Sequence, residues 1–178
     1  HGLLHAIKNH LAISFTYQKY WENEFTKRLI EPYALKEFKN RWYVLGKDQK
    51  DDHVKSFALD RLTDLDFTKS RFKYPNDFNV DEYYKYCFGI IGSNCQEPQE
   101  VILSFDPIQG KYIKSLPLHY PQEVQIDNSK EFRIKLKIFI TQDFVMELLS
   151  HGECVKVLEP ESLIKELKAI YQNALNQY

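Results

Sequence analysis

Basic and aromatic side chains occur together in three short strand-like segments in the first half of the chain. These segments are residues 27–33, 41–46 and 57–62, which read Lys-Arg-Leu-Ile-Glu-Pro-Tyr, Arg-Trp-Tyr-Val-Leu-Gly and Phe-Ala-Leu-Asp-Arg-Leu. Aromatic faces can stack on a base, and cations can pair with a phosphate. A small sheet that presents both could therefore bind a nucleotide or a single strand of nucleic acid.

The candidate ligand contacts are Tyr17, Arg28, Arg41, Tyr43, Lys55 and Arg61. Arg28 and Arg61 have the strongest case, because an arginine on a strand among apolar neighbours needs a partner for its charge. The alternative to a ligand is an internal ion pair. For Arg28 that partner would be Glu31, and for Arg61 it would be Asp60 or Asp64.

Strand alternation assigns faces to the central segment. Trp42 and Val44 fall on one face of the strand and Tyr43 on the other. We expect Val44 to pack in the core, and Trp42 as well, since aromatic side chains mostly serve packing. For Tyr43, and for Tyr17 on the first strand, a ligand contact and a core position are equally compatible with the pattern.

One helix and five strands must position these side chains. Leucine and isoleucine recur at helical spacing over residues 2–10, and five β-prone segments follow between residues 12 and 67. Polar turns separate them, including residues 21–24 and 49–52. Five short antiparallel strands after one helix predict a small curled β-barrel.

The second half of the chain has a different pattern. Its predicted elements are a helix at 79–88, a strand at 100–105, a helix at 107–115, a hairpin of 123–127 with 131–140, a helix at 141–150, a strand at 154–158 and a helix at 160–176. From residue 100 onward the order βαββαβ is ferredoxin-like, with one helix added. The predicted fold class is therefore α+β.

Charge divides the chain at the turn-forming residues 74–77. Residues 1–74 carry 14 Lys and Arg against 10 Asp and Glu, a net charge of +4, whereas residues 75–178 carry 10 against 15, a net charge of −5. We predict a barrel domain at 1–74, a helical linker at 75–98 and a ferredoxin-like domain at 99–178. A net charge of +4 favours a local anion site over extensive binding of duplex DNA.

Several function classes have little support in the sequence. Three scattered cysteines do not make a disulfide framework, and there is neither a long apolar run nor a signal peptide. We therefore expect a cytoplasmic protein without a membrane partner. The His-x-x-Cys pair at 151–154 lacks two further ligands for a metal, and no catalytic motif is present. Neither an enzyme nor a cofactor is expected.

Residues 12–67 resemble a WYL domain, a family named after a Trp-Tyr-Leu triplet. The residues that carry the resemblance are the triplet at 42–44, Tyr17 on the first strand, the Arg-x-x-x-Pro segment at 28–32, Leu35, and the Phe-x-Leu-Asp-Arg-Leu run at 57–62. Two positions depart from the family pattern. Val44 replaces the leucine of the triplet. Lys55 stands where an arginine is common, so a phosphate there would contact a compact ammonium group instead of a planar guanidinium that can bind it through two hydrogen bonds.

The second half resembles the C-terminal extension (WCX) that often follows WYL domains. The matching segments are His-Tyr-Pro-Gln at 119–122 and Gly-Glu-Cys-Val-Lys-Val-Leu-Glu-Pro at 152–160. The resemblance implies an Sm-like or SH3-like barrel followed by a ferredoxin-like module. It also implies the sensor part of a bacterial transcription regulator, which binds a nucleotide or single-stranded nucleic acid at the six candidate residues.

The chain has no helix-turn-helix of its own, so duplex DNA would be bound only through a domain upstream of residue 1. The final helix carries a broad apolar stripe, which suits core packing and equally a homodimer contact. Two alternatives therefore stand beside the sensor. They are a structural or dimerisation module without a ligand, and a sensor of an anionic metabolite other than a nucleotide.

Overall fold

The computed structural model describes residues 2–20, 24–93 and 95–178, which divide between residues 83 and 84 into two compact units. The helices are α1 (Gly2–Lys8), α2 (Val80–Tyr84), α3 (Pro107–Ser115), α4 (Gln142–Ser150) and α5 (Glu161–Leu175). The strands are β1 (Leu11–Lys19), β2 (Glu24–Phe38), β3 (Arg41–Asp48), β4 (His53–Ala58), β5 (Leu62–Arg71), β6 (Gln99–Phe105), β7 (Glu123–Asp127), β8 (Phe132–Ile138) and β9 (Val155–Glu159). The α+β class is confirmed.

The first unit contains a five-stranded antiparallel sheet with the strand order β4-β3-β2-β1-β5. β4 and β5 are its two edges, and a short 3₁₀ helix over Leu59–Arg61 connects them. Among the described residues the sheet does not close, so the predicted barrel is not confirmed. β1 and β2 pair as a hairpin from Lys19 opposite Glu24, while most of the turn predicted between them, residues 21–23, lies outside the described residues.

Close packing between β2 and β3 explains one glycine in the central motif. A β-carbon on Gly46 would lie 2.6 Å from the carbonyl oxygen of Glu31 and 2.9 Å from Cδ1 of Ile30. Only glycine fits where the backbone of a neighbouring strand approaches so closely. Gly46 thus allows β2 and β3 to pair at the place where β2 carries an irregularity in register.

The core of the first unit lies on one face of its sheet. The buried residues of this core are Ala6, Ile13, Phe15, Tyr17, Ile30, Val44 and Phe57. Alternate residues of β1 enter it, as the period of two in a half-buried strand requires. This core holds in place the backbone that carries most of the candidate site.

The second unit has a four-stranded antiparallel sheet with the order β7-β8-β6-β9. Its elements run β6-α3-β7-β8-α4-β9 and then α5, which is the predicted βαββαβ order followed by the added helix. Asp106 starts α3 by accepting hydrogen bonds from the backbone N–H groups of Ile108 and Gln109, at 2.8 and 2.9 Å. No helix among the described residues has both the length and the apolar character needed to cross a membrane.

The helix predicted over residues 79–88 is much shorter than expected. It extends only over Val80–Tyr84. The preceding residue, Asn79, caps it, because the Asn79 side chain accepts hydrogen bonds from the backbone N–H groups of Asp81 and Glu82. None of the five residues of the helix is buried. The predicted domain boundaries at residues 74 and 98 stay a prediction.

Candidate functional site

Strand register places three of the six candidate residues on one face of the first sheet. We call this the inner face and define it by the core residues Phe15, Val44 and Phe57, of which Val44 and Phe57 are paired. Arg28 lies opposite Phe15. Lys55 lies opposite Gly46, two residues beyond Val44. Because directly paired residues share a face, Arg28 and Lys55 both belong to the inner face, as does the core residue Tyr17.

Three aromatic rings form the floor of the inner face. The ring centroids of Phe15 and Phe57 lie 5.3 Å apart, those of Tyr17 and Phe57 5.2 Å, and both pairs meet edge to face. All three residues are buried. The floor is therefore packed protein core, and Arg61 lies against the Tyr17 ring at its edge.

Arg61 lies against two tyrosine rings at the edge of this floor. Its guanidinium carbon is 5.0 Å from the ring centroid of Tyr17 and 4.9 Å from that of Tyr20, which is 59% exposed. Both distances suit cation–π attraction. Within the described residues no carboxylate pairs with Arg61, and its buried Nε has no hydrogen-bond partner. The predicted internal pairs with Asp60 and Asp64 are not formed.

Burial and charge act in opposite directions on Tyr17. Its loss of water contact raises the pKa of the phenol above the usual value, and the positive charge of Arg61 lowers it in part. The Tyr17 oxygen also accepts a long hydrogen bond from the backbone of Ala58, at 3.5 Å. The neutral phenol therefore persists at neutral pH and offers Arg61 an uncharged aromatic surface.

Arg28 and Lys55 share one buried carboxylate, that of Asp48. Arg28 Nη1 donates to Asp48 Oδ2 at 2.8 Å, and Lys55 Nζ lies 3.2 Å from the same oxygen. Asp48 is fully buried and also accepts from the backbone N–H of Lys50 at 3.0 Å. Arg28 is therefore in an internal ion pair, as one interpretation of the sequence predicts, but its partner is Asp48 and not Glu31. We refer to Arg28, Asp48 and Lys55 as the ion cluster.

Lys55 differs from Arg28 in its accessibility. The Lys55 side chain is 35% exposed and the Arg28 side chain only 9%. Lys55 also pairs with the carboxylate of Asp51, and its ammonium group holds the pKa of that carboxyl below the usual range. Of the cluster's two cations, Lys55 is thus the one that solvent, and hence a ligand, can reach.

Arg41 and Tyr43 do not join the other four residues. Tyr43 is paired with Ala58 and Lys36, so it lies on the face of β3 opposite to Val44. Arg41 has the same parity, and its guanidinium makes an exposed ion pair with Asp60 at 3.4 Å. The six predicted residues therefore divide between the two faces of the sheet.

Trp42 is exposed, contrary to the prediction that it packs in the core. Its side chain is 54% accessible, whereas that of Val44, two residues along the same face, is fully buried. The reason is position, because Trp42 lies at the start of β3, opposite the exposed Glu37 near the end of β2. The strand-face assignment holds, but the core ends before Trp42.

Sequence reasoning missed Asp48 and Tyr20. Asp48 ends β3 on the same parity as Val44, which could have assigned it to the inner face with the neighbouring cations. Tyr20 follows β1 directly, and no sequence signal indicates that it covers Arg61.

A second aromatic cluster surrounds Tyr33 on β2. Its ring contacts those of Tyr74 and Phe78, with centroid distances of 5.0 and 4.9 Å, and its hydroxyl donates to Glu31 Oε2 at 3.3 Å. Burial, together with the negative charge of Glu31, raises the pKa of Tyr33 to about 12. Tyr33 therefore stays neutral in the folded protein at pH values where an unfolded tyrosine has already ionised.

This difference makes the first unit sensitive to alkali. Because the folded pKa lies above the unfolded value of 10.0, the free energy of unfolding should fall as the pH rises from about 10 to 12. We expect Tyr33→Phe to have a smaller fall than the native chain, measured by urea unfolding at pH 9 and pH 11. Tyr178→Phe, at a fully exposed position, is the control and should behave like the native chain. Equal falls in Tyr33→Phe and the native chain would contradict this assignment.

The His-x-x-Cys pair of the second unit follows directly after α4. Within the described ranges no group of three or more His, Cys, Asp or Glu side chains is placed to hold a metal ion. His151 Nδ1 lies 3.2 Å from the side-chain amide of Gln109. The Cys154 thiol donates a hydrogen bond to Asp106, which raises the pKa of the thiol and disfavours the thiolate.

Comparison with known proteins identifies both units. The WYL domain model matches residues 2–67, and the WCX domain model matches residues 97–175. Protein PafB of Mycobacterium tuberculosis and of Mycobacterium bovis is 32% identical over 60 residues, which cover 34% of this chain and 18% of PafB. The match thus spans less than a fifth of these relatives.

Two solved structures are similar over 99% of the chain. A CRISPR Cas-related protein has a TM-score of 0.59 at 12% identity, with 51% of its own chain covered. Proteasome accessory factor B/C of Arthrobacter aurescens has a TM-score of 0.41 at 20% identity, with 26% covered. The first of these supports the fold. Since the two domain models match in sequence order and between them span most of the residues, this chain belongs to the proteins in which a WYL domain is followed by a WCX domain.

Proposed function

We propose that this chain is the ligand-sensing portion of a cytoplasmic bacterial transcription regulator, and not an enzyme. Its ligand is a nucleotide or a single-stranded nucleic acid, bound on the inner face of the first unit. The proposal is supported by the WYL and WCX pair, which is typical of regulators, and by the composition of the inner face.

The observation that carries the ligand proposal is the state of Arg61. It is a cation held between two aromatic rings, with a buried donor that lacks a partner among the described residues. A buried donor without a hydrogen bond is costly, and an anionic oxygen would satisfy it. The exposed ring of Tyr20 beside it offers a surface on which a base can stack.

Lys55 extends this site toward a second phosphate. It lies on the inner face, is partly exposed, and pairs with Asp48 and Asp51. Arg28 contributes less directly, because its guanidinium is directed at the buried Asp48. Arg41 and Tyr43, on the other face, are proposed only as contacts for a strand that wraps around the edge of the sheet.

Regulation requires that the ligand bind two states of the protein with different affinity. We propose that ligand binding shifts the geometry of domains or subunits and thereby alters duplex DNA binding by a domain upstream of residue 1. A homodimer provides the two-fold symmetry that many DNA-binding regulators use.

Titration of labelled single-stranded DNA and RNA oligonucleotides, followed by fluorescence anisotropy, tests the ligand class. We expect binding that is stronger for single strands than for duplex DNA and that weakens as salt is added. Contacts to about three phosphates would give a slope of log K against log[salt] of about −2. Failure of every oligonucleotide to bind, together with binding of a small anion such as pyrophosphate, would instead favour the sensor of an anionic metabolite.

A structural or dimerisation module is the second candidate. The observation in its favour is the number of large apolar side chains that the second unit exposes, among them Ile108, Leu116 and Leu175. Association through such residues should change little with salt, whereas phosphate binding must weaken steeply.

A further inference from the structure

A cleft separates helix α3 from the turn between β7 and β8 in the second unit. Its volume is about 360 Å³. Helix α3 forms one wall through Pro107, Lys111 and Lys114, and the hairpin forms the other through Asp127 and Ser129. Sites for small molecules usually have volumes of about 300 to 1,000 Å³. The cleft is therefore large enough for a small ligand.

Both walls of the cleft are fixed by contacts within the second unit. A β-carbon on Gly110 would lie 2.4 Å from Cβ of Phe132, so the absence of a side chain there lets α3 lie directly on β8. In the turn, the Asn128 side chain accepts hydrogen bonds from the backbone N–H groups of Lys130 and Glu131, at 2.8 and 3.0 Å. The cleft is therefore formed before a ligand binds, which lowers the entropic cost of binding.

Two lysines of α3 bring positive charge to the cleft. Lys111 is exposed and makes no ion pair within the described residues. Lys114 pairs with Asp127 of the opposite wall, and the two side chains are 63% and 47% exposed. An ion pair with this much exposure is weak, because water and salt screen it. The cleft thus offers one free ammonium group and a second one for which a stronger anion can compete.

The turn supplies hydrogen-bond donors to the same cleft. Neither the hydroxyl nor the backbone N–H of Ser129 has a hydrogen-bond partner in the ranges that the structure describes. A hydroxyl and a backbone N–H can both donate to anionic oxygens. Lys111, Lys114 and Ser129 together therefore suit an anion with several oxygen atoms.

We propose that this cleft binds the phosphate group of a small phosphate monoester. Lys111, Lys114 and Ser129 bind the phosphate oxygens, and the organic part of the ligand lies against Pro107 and Phe132, which also line the cleft. A phosphate monoester carries a charge of about −1.5 to −2 at pH 7, which matches two ammonium groups. Lysines bind it as compact charges, whereas a planar carboxylate is better matched by the fork of an arginine.

The charge of the second half of the chain favours a small ligand over a nucleic acid. Residues 75–178 have a net charge of −5, from 10 Lys and Arg against 15 Asp and Glu. This charge repels a long polyanion, whereas a single phosphate group interacts mainly with the lysines next to it. The cleft lies in the second unit, so this proposal does not rest on the ligand proposed for the inner face.

Nuclear magnetic resonance of the whole ¹⁵N-labelled chain locates the site. Titration with phenyl phosphate should shift the backbone amide signals of Gly110, Lys111 and Ser129 until they saturate. The diester methyl phenyl phosphate should bind at least about fivefold more weakly, because it carries one negative charge instead of nearly two. Shifts confined to the signals around Lys55 and Arg61, or equal affinity for the diester, would overturn the proposal. Shifts around Arg61 alone would still support an anion site on the inner face, so the two proposals fail separately.

Three variants test the residues of the cleft. Lys111→Ala should weaken the binding of phenyl phosphate about 10-fold, because a charge-assisted hydrogen bond is lost. Asp127→Asn should strengthen it about threefold, because Lys114 loses its internal partner and a negative charge leaves the cleft. Lys168→Ala, at an exposed position of α5 outside the cleft lining, is the matched control and should leave the affinity unchanged.

Equal affinity in Lys111→Ala and Lys168→Ala would overturn the proposal, and so would an Asp127→Asn chain that binds no more tightly than the native chain. Because all three substituted side chains are exposed, circular dichroism should give unchanged spectra for every variant.

Discussion

Replacing Arg61 with alanine is expected to weaken the binding of a single-stranded oligonucleotide by about 10- to 100-fold. The range corresponds to the loss of one or two charge-assisted hydrogen bonds. Arg61 has no competing carboxylate among the described residues, and its guanidinium is already ordered between Tyr17 and Tyr20. A ligand therefore does not have to break an internal ion pair before it binds Arg61.

Two further variants separate charge from geometry. Arg61→Lys keeps the positive charge but loses the planar group that lies against the rings, so we expect affinity between that of the native chain and that of Arg61→Ala. Arg71→Ala, at an exposed position near the end of β5, is the matched control and should change affinity by less than about threefold. The salt slope should decrease by about 0.7 in Arg61→Ala and not in Arg71→Ala if Arg61 meets one phosphate.

Anisotropy titration of the three variants and the native chain measures these effects, and thermal unfolding shows whether each variant is folded. If a folded Arg61→Ala chain bound as tightly as Arg71→Ala, the assignment of Arg61 as the main anion contact would be wrong. Tyr17→Phe is a useful addition, because it keeps the ring under Arg61 and should leave affinity nearly unchanged.

Much of the fold was predictable because local signals and long-range packing agree. β3 contains the predicted strand-like segment 41–46, whose apolar residues lie between polar turns. In the second unit, the Asn128 side chain accepts hydrogen bonds from the backbone of Lys130 and Glu131, which fixes the hairpin turn that the sequence predicts. The βαββαβ order follows from such segments, each of which is recognisable by itself.

Closure of the first sheet was not predictable in the same way. Whether β4 and β5 pair with each other depends on twist and register over all five strands, and no short segment encodes that. β5 is exposed along most of its length and pairs only with β1 among the described strands. The five predicted strands match the observed sheet, whereas the predicted closure of that sheet into a barrel is not confirmed.

The sequence predicted the residue types of the candidate site but not which charged residues form ion pairs with each other. Sequence reasoning sought a partner for Arg28 nearby and chose Glu31, which instead lies 3.8 Å from Lys47 across β2 and β3. The true partner, Asp48, is 20 residues away and becomes a neighbour only through strand register. For the same reason, alternation could place Tyr43 and Val44 on opposite faces without indicating which face holds the other cations.

Asp48 should contribute more to stability than any other charged side chain of the inner face. Replacing it with asparagine leaves Arg28, whose side chain is only 9% exposed, without a counter-charge. Removing one partner of a buried ion pair typically costs 3–5 kcal/mol, and we expect about 3 kcal/mol here, because Lys55 is partly exposed and keeps its contact with Asp51. Urea unfolding measures this cost as a lower midpoint with an unchanged slope.

Asp51→Asn is the matched control, since it removes a carboxylate from the same lysine at an exposed position. We expect it to lower the urea midpoint far less than Asp48→Asn does. The double variant Arg28→Met with Asp48→Asn should recover part of the loss, because it leaves no unpaired charge in the buried position. If the Asp48→Asn chain were as stable as the Asp51→Asn chain, the ion cluster would not stabilise the fold. Its cations would then be as available to a ligand as Arg61 is, and the ranking of Arg61 above Arg28 would lose its physical basis.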